Sequence, residues 1–215
     1  MFNKNEDLKK RIKNLDKELF FILSTARCRS SWFSNLFTYK VSFCYKEQTR
    51  DITNWNGFID HIEKRPEKYI GFADPELLHF VESLYDLFPE AKYVLLERDR
   101  HESEQSLLAD TLHNIGVQIP PNIVKHKFDR WDKDIKKFKE IIKHYEHIHF
   151  NDMGDPKNIQ KIWNYILPGY LFDTERWELL SSLKIAVTMM NVPFIVNSAT
   201  CMAPYFDFKK LELAQ

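Results

Sequence analysis

The chain has 215 residues and a formal net charge of zero, because 31 lysine and arginine residues balance 31 aspartate and glutamate residues. This balance argues against broad nucleic-acid binding, which needs a basic surface. Scarce glycine and 14% aromatic residues exclude a linker or a disordered chain. We expect a single domain over residues 1–215 with an ample core.

Apolar segments and cysteines indicate where the protein resides. No stretch approaches the ~18 consecutive apolar residues of a membrane-spanning helix, and the N-terminus lacks an apolar signal core. The three cysteines are scattered, which suits a reducing compartment better than a disulfide scaffold. We therefore expect a cytoplasmic protein with no membrane association.

Strand and helix patterns alternate along the chain, which predicts a three-layer α/β/α fold around a mostly parallel sheet. We expect the core at about 19–167 and a C-terminal extension over 168–215, whose tail after Asn191 has no clear period. In chain order the patterns predict a helix at 6–17, a strand at 19–23 leading through a turn into a helix, a strand at 41–45, a loop and helix over 46–66, a strand at 69–72, a helix at 75–88, a strand at 93–96, helices at 101–114 and 121–146, a strand at 148–150, and helices at 159–167 and 175–185.

The turn after the first predicted strand contains two arginines and two hydroxyl residues, Arg27, Arg29, Ser30 and Ser31. An apolar-periodic stretch follows, so the turn lies where a helix N-terminus offers free N–H groups and a positive dipole end. Guanidinium forks fit phosphate or sulfate oxygens. The turn is therefore a predicted anion site, the alternative being a Ser-capped helix with two solvated arginines.

This turn matches neither of two common phosphate-binding loops. No glycine or lysine occurs between Leu19 and Tyr39, so it is not a Walker A loop. The sixth residue after Cys28 is Ser34, whereas a Cys-x5-Arg phosphatase loop has an arginine there. We interpret Cys28 as a small residue that fits a tight turn, the alternative being a thiol whose pKa is lowered by the helix end and the flanking arginines.

A second cationic position follows the predicted strand at 93–96. Arg98 stands at the end of that strand, and Ser106 lies on the second turn of a helix that begins near His101. Open α/β sheets bind ligands outside the carboxyl ends of their parallel strands. We therefore expect Arg98 and Ser106 to converge on one anion at this edge.

Taken in order, these two segments resemble the sulfotransferase family. The family's first motif is approximately Thr-x-Arg/Lys-Ser-Gly-Thr/Ser-Thr-Trp, and residues 25–32 read Thr-Ala-Arg-Cys-Arg-Ser-Ser-Trp. Its second motif is Arg-Asp-Pro with a serine eight residues after the arginine, a spacing that Arg98 and Ser106 reproduce. More weakly, residues 149–153 are similar to a late Tyr-Glu-Asp-Leu strand end. The resemblance covers about residues 19–167 and implies the P-loop-like sulfotransferase fold.

The resemblance also implies an enzyme and its donor. The enzyme would move a sulfuryl group from 3′-phosphoadenosine 5′-phosphosulfate to a hydroxyl or amine of a small molecule, glycan or peptide, without a metal. Arg27 would stabilise the leaving oxygen, and Arg29 would bind the sulfate. The N–H groups and hydroxyls of residues 28–31 would bind the 5′-phosphate. Arg98 and Ser106 would bind the 3′-phosphate. The acceptor and the oligomeric state stay open. The expected donor-binding residues are Arg27, Cys28, Arg29, Ser30, Ser31, Arg98 and Ser106.

Two residues depart from the family's motifs. Arg29 stands at the usual glycine, and Arg100 stands at the usual proline. Glycine permits a positive φ or a close backbone approach. An arginine at position 29 therefore implies either a wider loop or a guanidinium that itself holds the sulfate.

An acceptor hydroxyl needs a general base. Residues 44–50 resemble, with an offset of one residue, the Cys-Gly-Glu-Glu-Thr-Arg segment of tyrosylprotein sulfotransferases, which makes Glu47 the first candidate. His61 and Asp74 are alternatives. Asp74 directly follows a predicted strand, and its other interpretation is an N-cap before Pro75.

Two other functional classes stay open. An atypical phosphotransferase would need an acid near the first strand to bind Mg²⁺, and Asp99 is the obvious candidate. A non-catalytic module that binds phosphoadenosine would need no base. Three histidines at 144, 147 and 149 run from a predicted helix end into a strand, so they do not converge and we expect no metal site.

Overall fold

The computed structural model describes residues 4–182 apart from 51, 53, 113–115 and 117. Within these residues, a five-stranded sheet lies between two layers of helices. Every pair of neighbouring strands is parallel, as the alternating pattern predicted. The strands are β1 (Glu18–Ser24), β2 (Ser42–Lys46), β3 (Tyr69–Ala73), β4 (Lys92–Glu97) and β5 (Glu146–His149), in the spatial order β2-β3-β1-β4-β5.

Eight α-helices and three short 3-10 helices cover the sheet in the described part of the chain. The 3-10 helices are Gln48–Arg50, Pro75–Phe80 and Phe150–Gly154. The α-helices are α1 (Lys4–Lys13), α2 (Ser30–Phe37), α3 (Trp55–Glu63), α4 (Val81–Leu87), α5 (Arg100–Asp110), α6 (Pro121–Ile141), α7 (Pro156–Ile166) and α8 (Thr174–Ser182).

The central strand β1 is buried on both faces. Phe21 and Leu23 pack with α3, α4 and α6, while Phe20 and Ile22 pack with α2, α7 and α8. A strand between two helical layers has no solvent face. It therefore has a continuous apolar run rather than an alternating pattern.

The predicted elements differ from the structure at several places. The predicted helix at 6–17 is α1, which ends at Lys13, and the predicted helix at 159–167 is α7, which begins at Pro156. The predicted helix at 75–88 is a 3-10 helix followed by α4, and Asp74 caps its start by accepting a hydrogen bond from the N–H of Glu76 at 2.9 Å. The predicted helix at 121–146 ends at Ile141, and the last strand begins at Glu146 rather than at Ile148. That strand lies at the sheet edge and buries only Ile148, so its apolar signal is too short to mark its start.

The C-terminal prediction is described only in part. Helix α8 begins at Thr174, beside the predicted start of 175, and is described as far as Ser182. The remainder of the predicted extension, including the tail after Asn191, lies outside the described residues.

The sheet topology creates a crevice at the carboxyl ends of β1 and β4. The chain leaves β1 towards β2 on one side of the sheet and leaves β4 towards β5 on the other. The helices that follow, α2 and α5, pack on opposite faces. Ligands bind at such a switch point in open α/β sheets. Both predicted anion motifs follow these two strands, which pair as far as Ser24 and Leu96.

Helix α2, whose N-terminus faces this crevice, is held at its other end by Arg176. The guanidinium donates hydrogen bonds to the backbone carbonyls of Asn35, Leu36 at 3.1 Å and Thr38 at 2.6 Å. These carbonyls belong to the last turn and cap of α2, where intrahelical donors run out and the dipole is negative. Burial lowers the pKa of Arg176 to about 10, so the side chain stays charged at neutral pH.

We expect Arg176→Ala to lower the free energy of unfolding by about 2–4 kcal/mol, because it leaves several partly buried carbonyls without a charged donor. Urea unfolding of the two proteins measures the difference. Arg11→Ala is the matched control, because Arg11 forms exposed ion pairs with Asp60 and Glu63, and such pairs contribute little. An Arg176→Ala protein as stable as the control would contradict the capping role.

Candidate functional site

The loop between β1 and α2 contains two residues with left-handed backbone conformation. Arg27 has a φ of 67° and Arg29 has a φ of 63°. Each such residue costs about 1–2 kcal/mol when it is not glycine. Left-handed residues next to right-handed ones turn successive N–H groups towards one side, a geometry that binds anions. The backbone thus adopts at Arg29 the conformation that the family's glycine permits, so the loop is strained.

Helix α2 begins without a side-chain cap. Arg29 is its N-cap residue and accepts no helix N–H through its side chain, so the Ser-capped interpretation of this turn is wrong. The hydroxyl of Ser34 and the amide of Asn35 both donate to the carbonyl of Ser31, at 3.0 and 2.8 Å. Ser30, the first helical residue, is buried. The first N–H groups of α2 therefore have no intrahelical acceptor and face the crevice with the positive dipole end.

Cys28 is a buried structural residue in this loop. Its sulfur lies 3.2 Å from the hydroxyl oxygen of Thr25. Burial raises the pKa of the Cys28 thiol. This direction is opposite to the lowered thiol pKa of the alternative interpretation, and the burial of Cys28 supports the tight-turn interpretation.

The two predicted motifs are in direct contact. The Nε of Arg27, from the first motif, donates to the hydroxyl of Ser106, from the second, at 3.1 Å. The Nη1 of Arg27 lies 3.1 Å from a carboxylate oxygen of Asp110, one turn further along α5. In return, the Nη1 of Arg98 donates to the carbonyl oxygen of Arg27 at 3.1 Å. The structure thus brings Arg27, Arg98 and Ser106 together at the crevice.

Phe150 joins the remaining arginine to this group. The guanidinium carbon of Arg98 lies 4.0 Å from the centroid of the Phe150 ring, and that of Arg29 lies 4.7 Å from the same centroid. Phe150 follows β5, whose neighbour β4 leads to Arg98. We did not predict a site role for this residue, because an apolar residue at a strand end gives no local signal of one.

Positive charge exceeds negative charge at the site. Asp110 pairs with Arg27, and Glu102 lies 3.2 Å from the Nε of Arg98. No carboxylate among the described residues forms an ion pair with Arg29. Burial and the nearby Arg98 charge lower the pKa of Arg29. Three guanidiniums, two carboxylates and a helix N-terminus make a site that favours an anion.

Arg100, at the position of the family's proline, has a different role. Its guanidinium contacts the carboxylates of Glu104 at 2.7 Å, Asp129 at 2.7 Å and Asp132 at 2.5 Å. These hydrogen bonds raise the pKa of Arg100. The side chain therefore ties α5 to α6 and adds no charge to the crevice.

Two candidate bases, Glu47 and Asp74, follow β2 and β3 at the same edge of the sheet, on one side of β1. Glu47 follows β2 with a φ of 49°, and its N–H donates to the carbonyl of Ala73 at 3.2 Å. Because β3 separates β2 from β1, the two strand ends are roughly 10 Å apart. His61 lies on α3, and its ring centroid is 5.7 Å from that of Tyr45, with the two rings nearly perpendicular.

Asp74 supports the loop that contains Glu47. One carboxylate oxygen accepts the N–H of Glu76, and the other accepts the N–H and the hydroxyl of Thr49 at 2.8 and 2.7 Å. Burial raises the pKa of Asp74, and the hydrogen bonds only partly oppose this effect. Asp74 is therefore an N-cap residue, as one of its two interpretations predicted, and it also holds the neighbouring loop through Thr49.

The described residues lack the features of a metal site and of a membrane-spanning helix. No group of three or more histidine, cysteine, aspartate or glutamate side chains there is arranged to hold a metal ion. His147 instead lies 2.6 Å from Glu97, and His149 accepts the N–H of Asn151. None of the described helices combines the length and the apolar character needed to cross a membrane.

Two substitutions at Arg29 separate the free-energy cost of its left-handed backbone from the contribution of its charge to anion binding. We expect Arg29→Gly to be about 1 kcal/mol more stable than Arg29→Ala, since both lose the guanidinium and only glycine adopts the left-handed conformation without cost. Both variants should bind inorganic pyrophosphate equally weakly. Thermal unfolding and calorimetry measure these two quantities. Equal stability of the two variants would contradict the strained conformation at residue 29.

The solved structures that are similar to this fold include two sulfotransferases. A crystal structure of a sulfotransferase from Alicyclobacillus acidocaldarius aligns with a TM-score of 0.57 at 14% identity and covers 77% of this chain and 90% of that one. The sulfotransferase domain from the curacin biosynthetic pathway aligns with a TM-score of 0.53 at 14% identity, over 74% and 76% of the two chains. No protein-family model and no curated protein matches the sequence. The likeness establishes the sulfotransferase fold, which confirms the fold that the motifs predicted.

Proposed function

We propose that this protein is a sulfotransferase that moves a sulfuryl group from 3′-phosphoadenosine 5′-phosphosulfate to a hydroxyl or amine acceptor. The observation that supports this proposal is the contact between Arg27 and Ser106, together with the hydrogen bond from Arg98 to the Arg27 carbonyl. These contacts join both anion motifs into one cationic site at the switch point of a sulfotransferase fold. A nucleotide with an anionic group at each end of its ribose fits such a site.

In this proposal, the donor lies across the crevice. The N–H groups at the start of α2 and the hydroxyls of Ser30 and Ser31 hold the 5′-phosphate, and Arg29 holds the sulfate. Arg98 and Ser106 hold the 3′-phosphate. Arg27 stabilises the leaving oxygen, which requires its guanidinium to turn from Asp110 towards the α2 N-terminus.

The chemistry is an in-line transfer of a planar SO₃ unit between two oxygens. Positioning and charge stabilisation account for most of the rate in the related phosphoryl transfer. The acceptor hydroxyl loses its proton to Glu47, the base we propose. The S–O bond to the phosphate breaks as the S–O bond to the acceptor forms, and the bisphosphate leaves with the electron pair.

A phosphotransferase is a weaker candidate. Asp99, the acid considered for Mg²⁺, accepts the N–H of Glu102 at 3.0 Å and caps α5. This hydrogen bond is a typical N-cap, so a structural role accounts for the carboxylate without a metal. A non-catalytic phosphoadenosine-binding module differs from the proposed enzyme only in turnover.

A thermal-shift panel tests the donor class. Adenosine 3′,5′-bisphosphate at 100 times its Kd should stabilise the protein by about 2.7 kcal/mol, or roughly 5–10 °C, without Mg²⁺. ATP with Mg²⁺ should give no comparable shift. Stabilisation by Mg-ATP alone would favour a phosphotransferase, and no shift with either nucleotide would leave only a general anion site.

A further inference from the structure

The aromatic ring of Phe150 is shared by two guanidiniums from different motifs. Arg29 belongs to the loop after β1, and Arg98 follows β4. Their guanidinium carbons lie 4.7 and 4.0 Å from the ring centroid, so they can be no farther apart than the sum of these two distances. Phe150 itself is half-buried and begins the 3-10 helix after β5.

Arg29 depends on this ring more than Arg98 does. Arg98 is also held by the carbonyl of Arg27 and the carboxylate of Glu102. For Arg29, no side-chain hydrogen bond or ion pair is found among the described residues, and the ring provides its cation–π contact. A long side chain in a left-handed loop has many rotamers, and holding it in one of them has an entropic cost.

Two nearby cations repel each other, so a neighbouring group must offset this repulsion to keep them close. Burial and the charge of Arg98 both disfavour the charged form of Arg29. The face of an aromatic ring carries negative partial charge and attracts cations. Unlike a carboxylate, it does so without neutralising them, so Arg29, which has no carboxylate partner among the described residues, keeps its full charge for a ligand.

We propose that Phe150 is a positioning residue of the donor site, whose ring contacts both Arg29 and Arg98 and fixes them where the two anionic ends of the donor bind. This inference rests on the proposed function, because it takes the bisphosphate nucleotide as the ligand. Preplaced charges avoid the cost of ordering them when the ligand binds.

Calorimetric titration with adenosine 3′,5′-bisphosphate tests the role of the ring. Phe150→Leu and Phe150→Met keep an apolar side chain without the π face, and each should weaken binding about tenfold. Phe150→Tyr keeps the face and should bind within about threefold of the wild type. Phe172→Leu is the matched control, because Phe172 is a half-buried phenylalanine whose ring packs on Trp163 at 5.7 Å. The control should bind like the wild type.

A double-mutant cycle with Arg29→Ala distinguishes positioning from general packing. If the ring acts through Arg29, Phe150→Leu should weaken binding much less in the Arg29→Ala background than in the wild type. Fully additive losses, or leucine and methionine variants that bind as tightly as the wild type, would overturn the role of Phe150 while leaving the proposed function intact. A wild-type protein that does not bind the bisphosphate would instead overturn the proposed function, and this inference with it.

Discussion

Replacing Glu47 with glutamine is expected to lower kcat by about 10²–10⁴-fold while leaving the affinity for adenosine 3′,5′-bisphosphate unchanged. Glutamine has nearly the shape of glutamate but cannot take a proton from an acceptor hydroxyl. Glu47 lies beyond the end of β2, two strands from β1, so its replacement leaves the contacts of Arg27, Arg29 and Arg98 in place. Chemistry should therefore be lost without loss of the donor site.

Transfer of radioactive sulfate from 3′-phosphoadenosine 5′-phosphosulfate to a panel of phenol, sugar and amine acceptors measures this effect. The acceptor that the wild type uses best gives kcat for the variant. Glu82→Gln is the control, because Glu82 is an exposed residue of α4 that pairs with Lys137. Full turnover by Glu47→Gln would show that the base is another residue, with His61 next to be tested. A wild type that binds the bisphosphate but modifies no acceptor would favour the non-catalytic module.

Asp74 is a less suitable base than Glu47 because of its hydrogen bonds. Its two oxygens already accept three of them, from Glu76 and Thr49, and the side chain is fully buried. A carboxylate in this position fixes the loop and has no access to an acceptor. The positive φ of Glu47 fits a functional assignment, since strained backbone is often retained at active sites.

The fold could be predicted from the sequence because its strands are apolar runs separated by amphipathic helices. The prediction was least accurate for the start of the edge strand β5, since this strand buries one residue and the residues beside it are polar. The helix at 75–88 was predicted from its apolar spacing, which does not distinguish a 3-10 turn from an α-helix over two turns. Both errors lie where local pattern carries little information.

The proximity of the two motifs could be predicted for a different reason. Parallel strands end at one edge, so motifs after β1 and β4 had to lie close together. What each side chain contacts could not be predicted. Arg100 and Arg98 are two residues apart, yet Arg100 binds three carboxylates on α5 and α6 while Arg98 lies on Phe150. Such pairings depend on helix packing between distant segments, which no local spacing encodes.

We expect Arg98→Ala to weaken binding of adenosine 3′,5′-bisphosphate by about 100-fold, or about 2.7 kcal/mol, the value of one or two charge-assisted hydrogen bonds to a phosphate. Adenosine 5′-monophosphate lacks the 3′-phosphate, so its affinity should change much less. The ratio of the two affinities therefore reports the 3′-phosphate contact and is insensitive to a general loss of structure, including loss of the hydrogen bond to the Arg27 carbonyl.

Arg100→Ala is a matched control for this measurement, since it removes an arginine from the same motif whose charge is already paired with Glu104, Asp129 and Asp132. It should leave the affinity ratio at the wild-type value, although it should lower stability by loosening α5 from α6. Arg98→Lys should recover part of the preference for the bisphosphate, because an ammonium retains the charge but not the forked geometry. If Arg98→Ala weakens both nucleotides equally, then Arg98 does not select the 3′-phosphate. Its role would then be to support the loop through its hydrogen bond to Arg27. The two motifs would then bind the same anionic group of the ligand, whereas in our proposal each motif binds a different one.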